Sequence, residues 1–468
     1  MSLDQQVEAV VRPVADTLSR LVFYPLELFG QDFPLIVLWL ATAAVFFTLY
    51  LGFVNVRGFS LGLRHVRGRF HNPRARGEIS HFQAVATAVS GTLWLMVAGF
   101  LSMSTKLVEC TLGVKYRRNN PDGSVSGGPM FYLERYFSDR GAPGWGRVMG
   151  GFYAIALVIG CFGIGNMFQS NQAYVQFLVI SGGEDSFFAA RGWLFGLLIA
   201  TAVALVIIGG IRSIALVASR IVPLMAVLYV VSALVIIGFS AAQIPAAVQL
   251  IVSSAFSMNS VTGGMVGAIV VGFQRALFSN EAGIGSASIA HSAVQTNEPA
   301  SEGLVGLLEP FLDTVVICTL SSLVIVTVAY PNGLVEQGFE GIALTSAAFA
   351  HHISWAPYPL AFAALLFAFS TTIAWAYYGL KAWTYLVGES QLMQTAFKTV
   401  FCGFVVLGCM IELSAVLDFA DAMIFLIAVP NIIGLYLYAP EVKRDVADYM
   451  RRVRSGAVRT TEQYPPLQ

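Results

Sequence analysis

Long apolar runs separated by short basic segments make up most of the chain. Membrane-spanning helices are predicted at about 33–54, 82–105, 150–179, 192–210, 217–240, 264–292, 304–330, 356–386, 395–412 and 416–438. Runs of this length suffice, since a helix needs about 20 apolar residues to cross the hydrocarbon core. The pattern predicts an all-α polytopic membrane protein. Its transmembrane domain, 33–440, lies between an N-terminal external segment, 1–32, and a cytoplasmic tail, 441–468.

The charges between the runs indicate the topology. Loops rich in arginine and lysine face the cytoplasm. The segments 55–81 and 106–148 are both basic, yet they flank one apolar stretch, 82–105. Two cytoplasmic flanks are incompatible with a single crossing. Downstream the count of crossings returns the tail to the cytoplasm, in agreement with its basic residues Lys443, Arg444, Arg451, Arg452 and Arg454.

Composition excludes several classes of protein. Hydrophobic residues make up 56% of the 468 positions and charged residues 12%, whereas soluble domains carry about 25% charged residues. The formal net charge is zero, so no nucleic-acid partner is expected. The five cysteines form no CxxC pair, and no phosphate-binding loop or HExxH motif occurs. We therefore expect neither enzyme activity nor a bound cofactor.

One apolar run, GMVGAIVVGFQRALFSNEAGIGSASIAHSA at 264–293, carries charge and glycine at its middle. Asn280 and Glu281 immediately precede Gly283 and Gly285. In lipid every backbone group needs a partner, so this combination predicts a discontinuous helix whose unwound backbone faces a solute or an ion. The alternative is a kinked helix with glycines for close packing and Glu281 paired to a neighbour.

The same stretch resembles a known family. ALFSNEAGIGSASIAHSA, followed by EPASEGLVGLLEPFLDTVVICT, is similar to the signature of the alanine or glycine:cation symporters, within the amino acid-polyamine-organocation superfamily. KYR at 115–117 and GGPMFYLER at 127–135 extend the resemblance. It implies a leucine-transporter-like bundle of inverted repeats, with the site between two broken helices at mid-membrane.

The chain departs from the family after SGT at 90–92. Similar sequences continue with a glycine-rich stretch of the type VGLGNIAG and a GGPG turn, whereas here Thr92 is followed directly by Leu93 and Trp94. About twenty residues of the family pattern are absent, so the first core helix is expected to be truncated. The missing segment is the family's other broken helix, and we expect transport to be impaired.

Candidate substrate residues lie in three stretches. Gln169 and Asn171 carry amides that can donate to a carboxylate and accept from an ammonium, and the family places a similar FQSNQ motif at its pocket. Phe278 and Trp375 are candidates to close an apolar pocket over a substrate methyl group. The backbone around the break supplies the remaining candidates, Ser279, Asn280 and Gly283.

A cation site is expected on the run AFSTTIAWAYYG at 368–379. The carbonyl of Ala368 and the hydroxyls of Thr371 and Thr372 share one turn of helix and offer hard oxygen ligands. Such hydroxyls more often bond back to the preceding carbonyl. Resemblance to the leucine-transporter fold implies a sodium site here. Its opposing half would come from the region that is missing after Thr92, of which Thr92 is part of what remains.

The resemblance implies a secondary transporter of the bacterial inner membrane. It would move a small neutral amino acid, alanine or glycine, with sodium or protons as coupling ion, by alternating access. The alternative is a non-transporting membrane protein that binds an amino acid or a partner. Sequence does not decide between alanine and glycine, sodium and proton, or monomer and oligomer.

Overall fold

Helices dominate the computed structural model of the protein. The structure describes residues 12–13, 16–28, 31–67, 93–120, 124–256, 264–334, 337 and 341–458. A helical stretch at 16–22 precedes two antiparallel strands, β1 (Pro25–Leu28) and β2 (Gln31–Pro34). The helices α1 (Leu35–Tyr50), α2 (Val54–Arg57) and α3 (Phe59–Val66) follow. The all-α prediction is confirmed for the described part of the chain.

The middle of the chain is built from long helices joined by short segments. In order they are α4 (Leu93–Lys115), the short paired strands β3 (Arg118–Asn119) and β4 (Val125–Ser126), α5 (Pro129–Ser138), α6 (Pro143–Phe162), a π-helical turn (Gly163–Met167), α7 (Phe168–Ser181), α8 (Gly192–Ile207), α9 (Gly210–Phe239) and α10 (Ile244–Ala255). Prolines at the first turn of α5 and α6 fit there, because the missing N–H has no intrahelical partner in any case.

The second half begins at the predicted break. It comprises α11 (Gly264–Asn280), α12 (Ser286–His291), α13 (Pro299–Gly306), a π-helix (Phe311–Ile317), α14 (Cys318–Val324), a second π-helix (Ile325–Ala329), α15 (Gly341–His352), α16 (Pro357–Val387), α17 (Gln391–Gly408) and α18 (Leu413–Arg454). Between the predicted spans at 304–330 and 356–386 the structure thus contains a further helix, α15.

Seven helical stretches in the described residues are long and apolar enough to cross a membrane: Leu93–Lys115, Pro143–Ser181, Gly210–Phe239, Pro299–Ala329, Pro357–Val387, Gln391–Gly408 and Leu413–Arg454. Leu35–Tyr50 and Gly192–Ile207 are apolar but shorter. The chain is thus a multi-pass membrane protein. Its core packs the long helices together, for example through Phe47 of α1 against Tyr436 of α18, with ring centroids 5.3 Å apart.

Two boundary predictions were wrong. The span placed at 82–105 is, in its described part, the helix α4, which continues to Lys115. Lys106 was assigned to a cytoplasmic segment, but its side chain is only 1% exposed inside the bundle. The helix at GGPMFYLER, which lies in the same segment assigned to the cytoplasm, also packs into the bundle, and its Phe131 and Tyr132 are buried in the core. Residues 82–92, including Thr92, lie outside the described residues.

Candidate functional site

The helix containing the Asn-Glu pair is interrupted, as predicted. Helix α11 ends at Asn280 and α12 begins at Ser286. Between them Glu281, Gly283 and Gly285 adopt positive φ angles of 54°, 95° and 87°. Glycine adopts this region freely, but a glutamate does so only where its surroundings hold it. The break is therefore a fixed feature of the fold.

The carboxylate of Glu281 accepts hydrogen bonds from two side chains, one on each oxygen. The indole Nε1 of Trp375 on α16 donates to Oε1 at 2.8 Å, and the hydroxyl of Ser286 donates to Oε2. All three residues are buried. The carboxylate thus ties the break to α16 and to the first residue of α12.

Polar side chains of α4 and α18 satisfy the exposed backbone groups of the break. Lys106 Nζ donates to the carbonyl of Asn280 at 2.7 Å, and the N–H of Gly283 donates to Glu109 Oε1 at 2.7 Å. The amide nitrogen of Asn431 donates both to Glu109 Oε1 and to the Gly283 carbonyl, at 2.6 and 2.9 Å. These contacts replace the helical hydrogen bonds that the break removes.

A second buried polar cluster adjoins the break. His291, the last residue of α12, lies with Nδ1 2.5 Å from Glu302 Oε1 and with Nε2 2.7 Å from Glu309 Oε1. The other oxygen of Glu309 is 3.2 Å from Lys106 Nζ. The cluster connects α4, α12 and α13 through charged groups that are almost completely buried.

A cavity of about 580 Å³ opens on the other side of the break. Its walls come from α7, α9, α11, α15, α16 and the π-helical segments around α14. Most of the lining is apolar, and the polar groups include Gln169, Gln172, Ser279, Glu281 and Thr371. An apolar pocket of this size with a few converging polar groups is the usual form of a small-molecule site, for which volumes are about 300–1,000 Å³.

An ion pair borders the cavity. Arg275 of α11 lines it and donates to the buried carboxylate of Asp421 on α18. Its guanidinium also lies 5.7 Å from the ring centroid of Phe278, which in turn makes an edge-on contact of 5.0 Å with Phe168. One wall of the cavity is therefore cationic and aromatic together.

The structure brings together six of the residues singled out from the sequence. Gln169, Phe278, Ser279, Ala368, Thr371 and Trp375 all line the cavity.

The other four described candidates make contacts within the protein. Asn171 donates to the carbonyls of Gly408 and Ile411, and Asn280 uses its side chain on Thr314 and on the N–H of Ala282. Gly283 is engaged by Glu109, as described above. Thr372 donates to the carbonyl of Ala368 at 2.8 Å, the back-bonding expected of a helical threonine.

Sequence reasoning missed the charges that hold the break. Lys106 and Glu109 were hidden because a charge at the edge of an apolar run is normally assigned to water. Their spacing of three residues puts both on one face of α4, and this was the available signal. Sequence reasoning also missed the cluster of His291, Glu302 and Glu309, because the spacing of these residues matches no recognisable motif.

The predicted cation site offers oxygen ligands. Among the described residues there is no group of three or more His, Cys, Asp or Glu side chains placed to hold a metal ion. At the predicted cation site, the carbonyl of Ala368 and the hydroxyls of Thr371 and Thr372 lie on one turn of α16, and Ala368 and Thr371 reach the cavity. These are hard oxygen donors, which suit a monovalent ion.

Comparison with known proteins agrees with this architecture. The family model described as the sodium:alanine symporter family matches residues 22–93 and 91–463. The sodium/alanine symporter AgcS of Methanococcus maripaludis is 34% identical, over 86% of this chain and 91% of the relative. The probable sodium/glutamine symporter GlnT of Bacillus subtilis is 29% identical, over 90% of this chain and 89% of its own length. The amino-acid carrier protein AlsT of the same organism is 29% identical, over 88% of each chain.

Proposed function

This chain belongs to the sodium:alanine symporter family, a family of transporters and not of enzymes, and we propose that it binds a small neutral amino acid for cation-coupled symport. Alanine or glycine is the expected substrate, and sodium, or alternatively a proton, is the coupling ion. The observation that carries the proposal is the cavity of about 580 Å³ that opens directly onto the helix break.

The substrate would lie between the break and the polar part of the cavity wall. Its ammonium would face the negative end of α11 beside the Glu281 carboxylate, because the N–H groups of the break already donate within the protein, as those of Ala282 and Gly283 do. Its carboxylate would accept from the hydroxyl of Ser279 on the cavity wall. The amide of Gln169 can serve either end of a zwitterion, because it both donates and accepts. Phe278 and Trp375 would bound the side chain, which limits it to a small apolar group. The names of the relatives, which include alanine and glutamine symporters, support amino acids as the class.

The coupling cation would bind the oxygen ligands of α16. Ala368, Thr371 and Thr372 would supply one half of the site. The other half would come from the family segment that is missing after Thr92, of which Thr92 itself remains. A cation bound there lowers the cost of rearranging the site, and it couples the two solutes only if it favours one conformation over the other. A proton as the coupling ion would instead need a titratable side chain, because hydroxyl and carbonyl oxygens bind no proton near neutral pH. One relative, YrbD of Bacillus subtilis, is named as a putative sodium/proton-dependent alanine carrier protein.

The gap after Thr92 bears on activity. The family model matches in two segments that meet at residues 91–93, which supports the proposal that a family segment is missing at this point. We propose that transport is impaired, because the second broken helix would supply the opposing half of the cation site. We also propose that the tail, 441–468, is cytoplasmic, because the C-terminal part of α18 is basic. Location in a bacterial inner membrane is proposed from the family resemblance alone.

Loss of that segment favours one alternative function. The cavity and the break are built from residues outside the gap, so binding can persist where transport does not. The chain would then be a membrane protein that binds an amino acid without carrying it.

Uptake and binding measured side by side separate these functions. The full chain in proteoliposomes is assayed for alanine uptake with and without an inward sodium gradient, and for alanine binding in detergent. The matched control is the same chain with a glycine-rich segment of the family type inserted after Thr92. We expect binding by both chains and sodium-driven uptake by the restored chain alone. Uptake by the unaltered chain would disprove impairment, and absence of binding by either would disprove the proposed site.

A further inference from the structure

His291 lies between two carboxylates. Each ring nitrogen faces a different glutamate, Glu302 at 2.5 Å and Glu309 at 2.7 Å. A neutral imidazole has one N–H and one lone pair, so it can donate to only one of them. The other contact would then place two acceptors against each other. These distances therefore require one further proton, carried either by the ring or by one of the carboxyl groups.

Burial makes that proton important. The three side chains are almost inaccessible to water, with exposures of 0%, 0% and 5% for His291, Glu302 and Glu309. Water therefore cannot replace the missing donor, and a buried carboxylate oxygen that faces a ring lone pair is strongly unfavourable.

With Lys106, this group contacts both half-helices, at the end of α11 and at the last residue of α12. His291 belongs to α12, while Lys106 donates to the carbonyl of Asn280 at the end of α11. Glu309 contacts both, one oxygen on each. A π-helix, Phe311–Ile317, begins two residues later, and such widened turns are frequent at functional sites.

We propose that Glu302, His291 and Glu309 form a proton-binding site, and that its proton, together with Lys106, fixes the two half-helices relative to each other. Removal of the proton leaves one of the two glutamates facing a lone pair, so the ring no longer holds both carboxyl groups and the link from α12 to the segment 302–309 is weakened. The proton-binding site does not depend on which solute is carried. Only an effect of this proton on the movement of the half-helices during transport rests on the proposed function.

Other ionisable groups surround the site. From α4 they are Cys110, whose thiol lies beside the ring, and Glu109. Asp313 of the π-helix and Glu281 of the break lie farther out within the same buried region. On the side facing β3, Arg117 donates to the carbonyls that follow α12, those of Ser292, Val294 and Thr296. All of them influence the pH at which the proton leaves.

Nitrogen NMR of the imidazole tests the proton directly. The full chain is labelled with ¹⁵N-histidine, reconstituted in liposomes and titrated upward from neutral pH, with His291→Gln used to assign the signal. Infrared spectra of the same samples report a protonated carboxyl group. We expect either a charged ring or a neutral ring with one protonated glutamate, persisting well above neutral pH. A neutral ring with both glutamates ionised at neutral pH would overturn the proposal.

A pair of variants gives the direction of the effect. Glu302→Gln removes one carboxylate, so the proton should leave at a pH lower by about 1–3 units, the size of one close charge interaction. Glu298→Gln is the matched control, because Glu298 lies in the same segment but pairs with the partly exposed Arg452. An equal effect of the two variants, or no effect of either, would contradict the assignment. The unaltered chain decides the question even where Glu302→Gln does not fold.

Hydrogen exchange tests the mechanical consequence. The rate of backbone amide exchange in the segment 280–292, corrected for the intrinsic effect of pH, should rise as the proton leaves. In Glu302→Gln this rise should occur at a lower pH than in the unaltered chain. No rise across the titration would refute the link to the half-helices. A chain that fails to transport can still bind this proton. Failure of the proton-binding proposal can therefore be distinguished from failure of the proposed function.

Discussion

The ammonium of Lys106 donates to the main-chain carbonyl of Asn280 at 2.7 Å, at the residue where α11 ends. The last carbonyls of a helix lack intrahelical partners and carry its negative dipole end, which a cation stabilises. Lys106 also lies 3.2 Å from Glu309, so its charge is compensated inside the bundle. A side chain of α4 thereby fixes where the helix stops.

Replacement of Lys106 should destabilise the protein strongly. Lys106→Met leaves the Glu309 carboxylate without its ammonium partner and the Asn280 carbonyl without a donor. Breaking a buried ion pair on one side costs about 3–5 kcal/mol. Thermal unfolding in detergent measures the loss.

The matched control for this change is Lys115→Met on the same helix. Lys115 pairs with Glu441 and Asp445 at 2.6 and 2.5 Å, but its side chain is 28% exposed. Water can replace much of that interaction, so the expected loss is about 1 kcal/mol or less. Equal losses for the two variants would contradict the structural role of Lys106.

The break itself could be predicted from sequence because its signals are local. An Asn-Glu pair followed by Gly283 and Gly285 in an apolar run combines mid-membrane charge with residues that allow positive φ. The positions of Gln169 and Trp375 on the cavity wall also followed from residue type and resemblance. These features depend on a few neighbouring positions, which a sequence displays directly.

What holds the break could not be predicted, since it depends on contacts between distant segments. Charge counting assigned Lys106 to water, because nothing near it in sequence reveals Glu309 as its partner. Asn171 looked like a pocket amide, but its NH₂ group donates to the end of α17 at Gly408 and Ile411. An amide on a helix has the same appearance in sequence whichever face meets the cavity.

The hydrogen bond from Trp375 to Glu281 should be energetically important. Trp375→Phe removes the Nε1 donor and leaves a buried carboxylate oxygen without it, and a bond to a charged group is worth about 1.5–3 kcal/mol. A double-mutant cycle with Glu281→Gln in thermal unfolding isolates this term from the loss of ring volume. The control is a cycle of Trp383→Phe with Glu281→Gln, because Trp383 donates instead to the carbonyl of Met393 at 2.9 Å and should show no coupling to Glu281. A coupling energy between Trp375 and Glu281 no larger than in this control would argue against the charged hydrogen bond.

Gly165 should tolerate no side chain. A Cβ at this position of the π-helical turn would lie 1.9 Å from Cγ of Trp375, and therefore at the rigid base of that side chain. Gly165→Ala must displace Trp375 from Glu281, with a loss of about 1–3 kcal/mol or more from overpacking and weaker alanine binding. Gly151→Ala in α6, where a Cβ meets nothing within 4 Å, should be neutral or slightly stabilising. Unfolding and binding assays on both variants check this, and equal behaviour would disprove the contact.

The ion pair of Arg275 and Asp421 should respond unequally to loss of each partner. The Arg275 side chain is 35% exposed toward the cavity, whereas that of Asp421 is 8% exposed. Arg275→Gln leaves a buried carboxylate with no compensating cation, a loss approaching about 3–5 kcal/mol. Asp421→Asn leaves a guanidinium that water in the cavity can solvate, so it should cost clearly less. The double variant should resemble Asp421→Asn, because the buried charge is then absent. Thermal unfolding of the three variants measures these losses of stability. A larger loss for Asp421→Asn than for Arg275→Gln would mean that the unpaired arginine, and not the unpaired aspartate, is the costly buried charge.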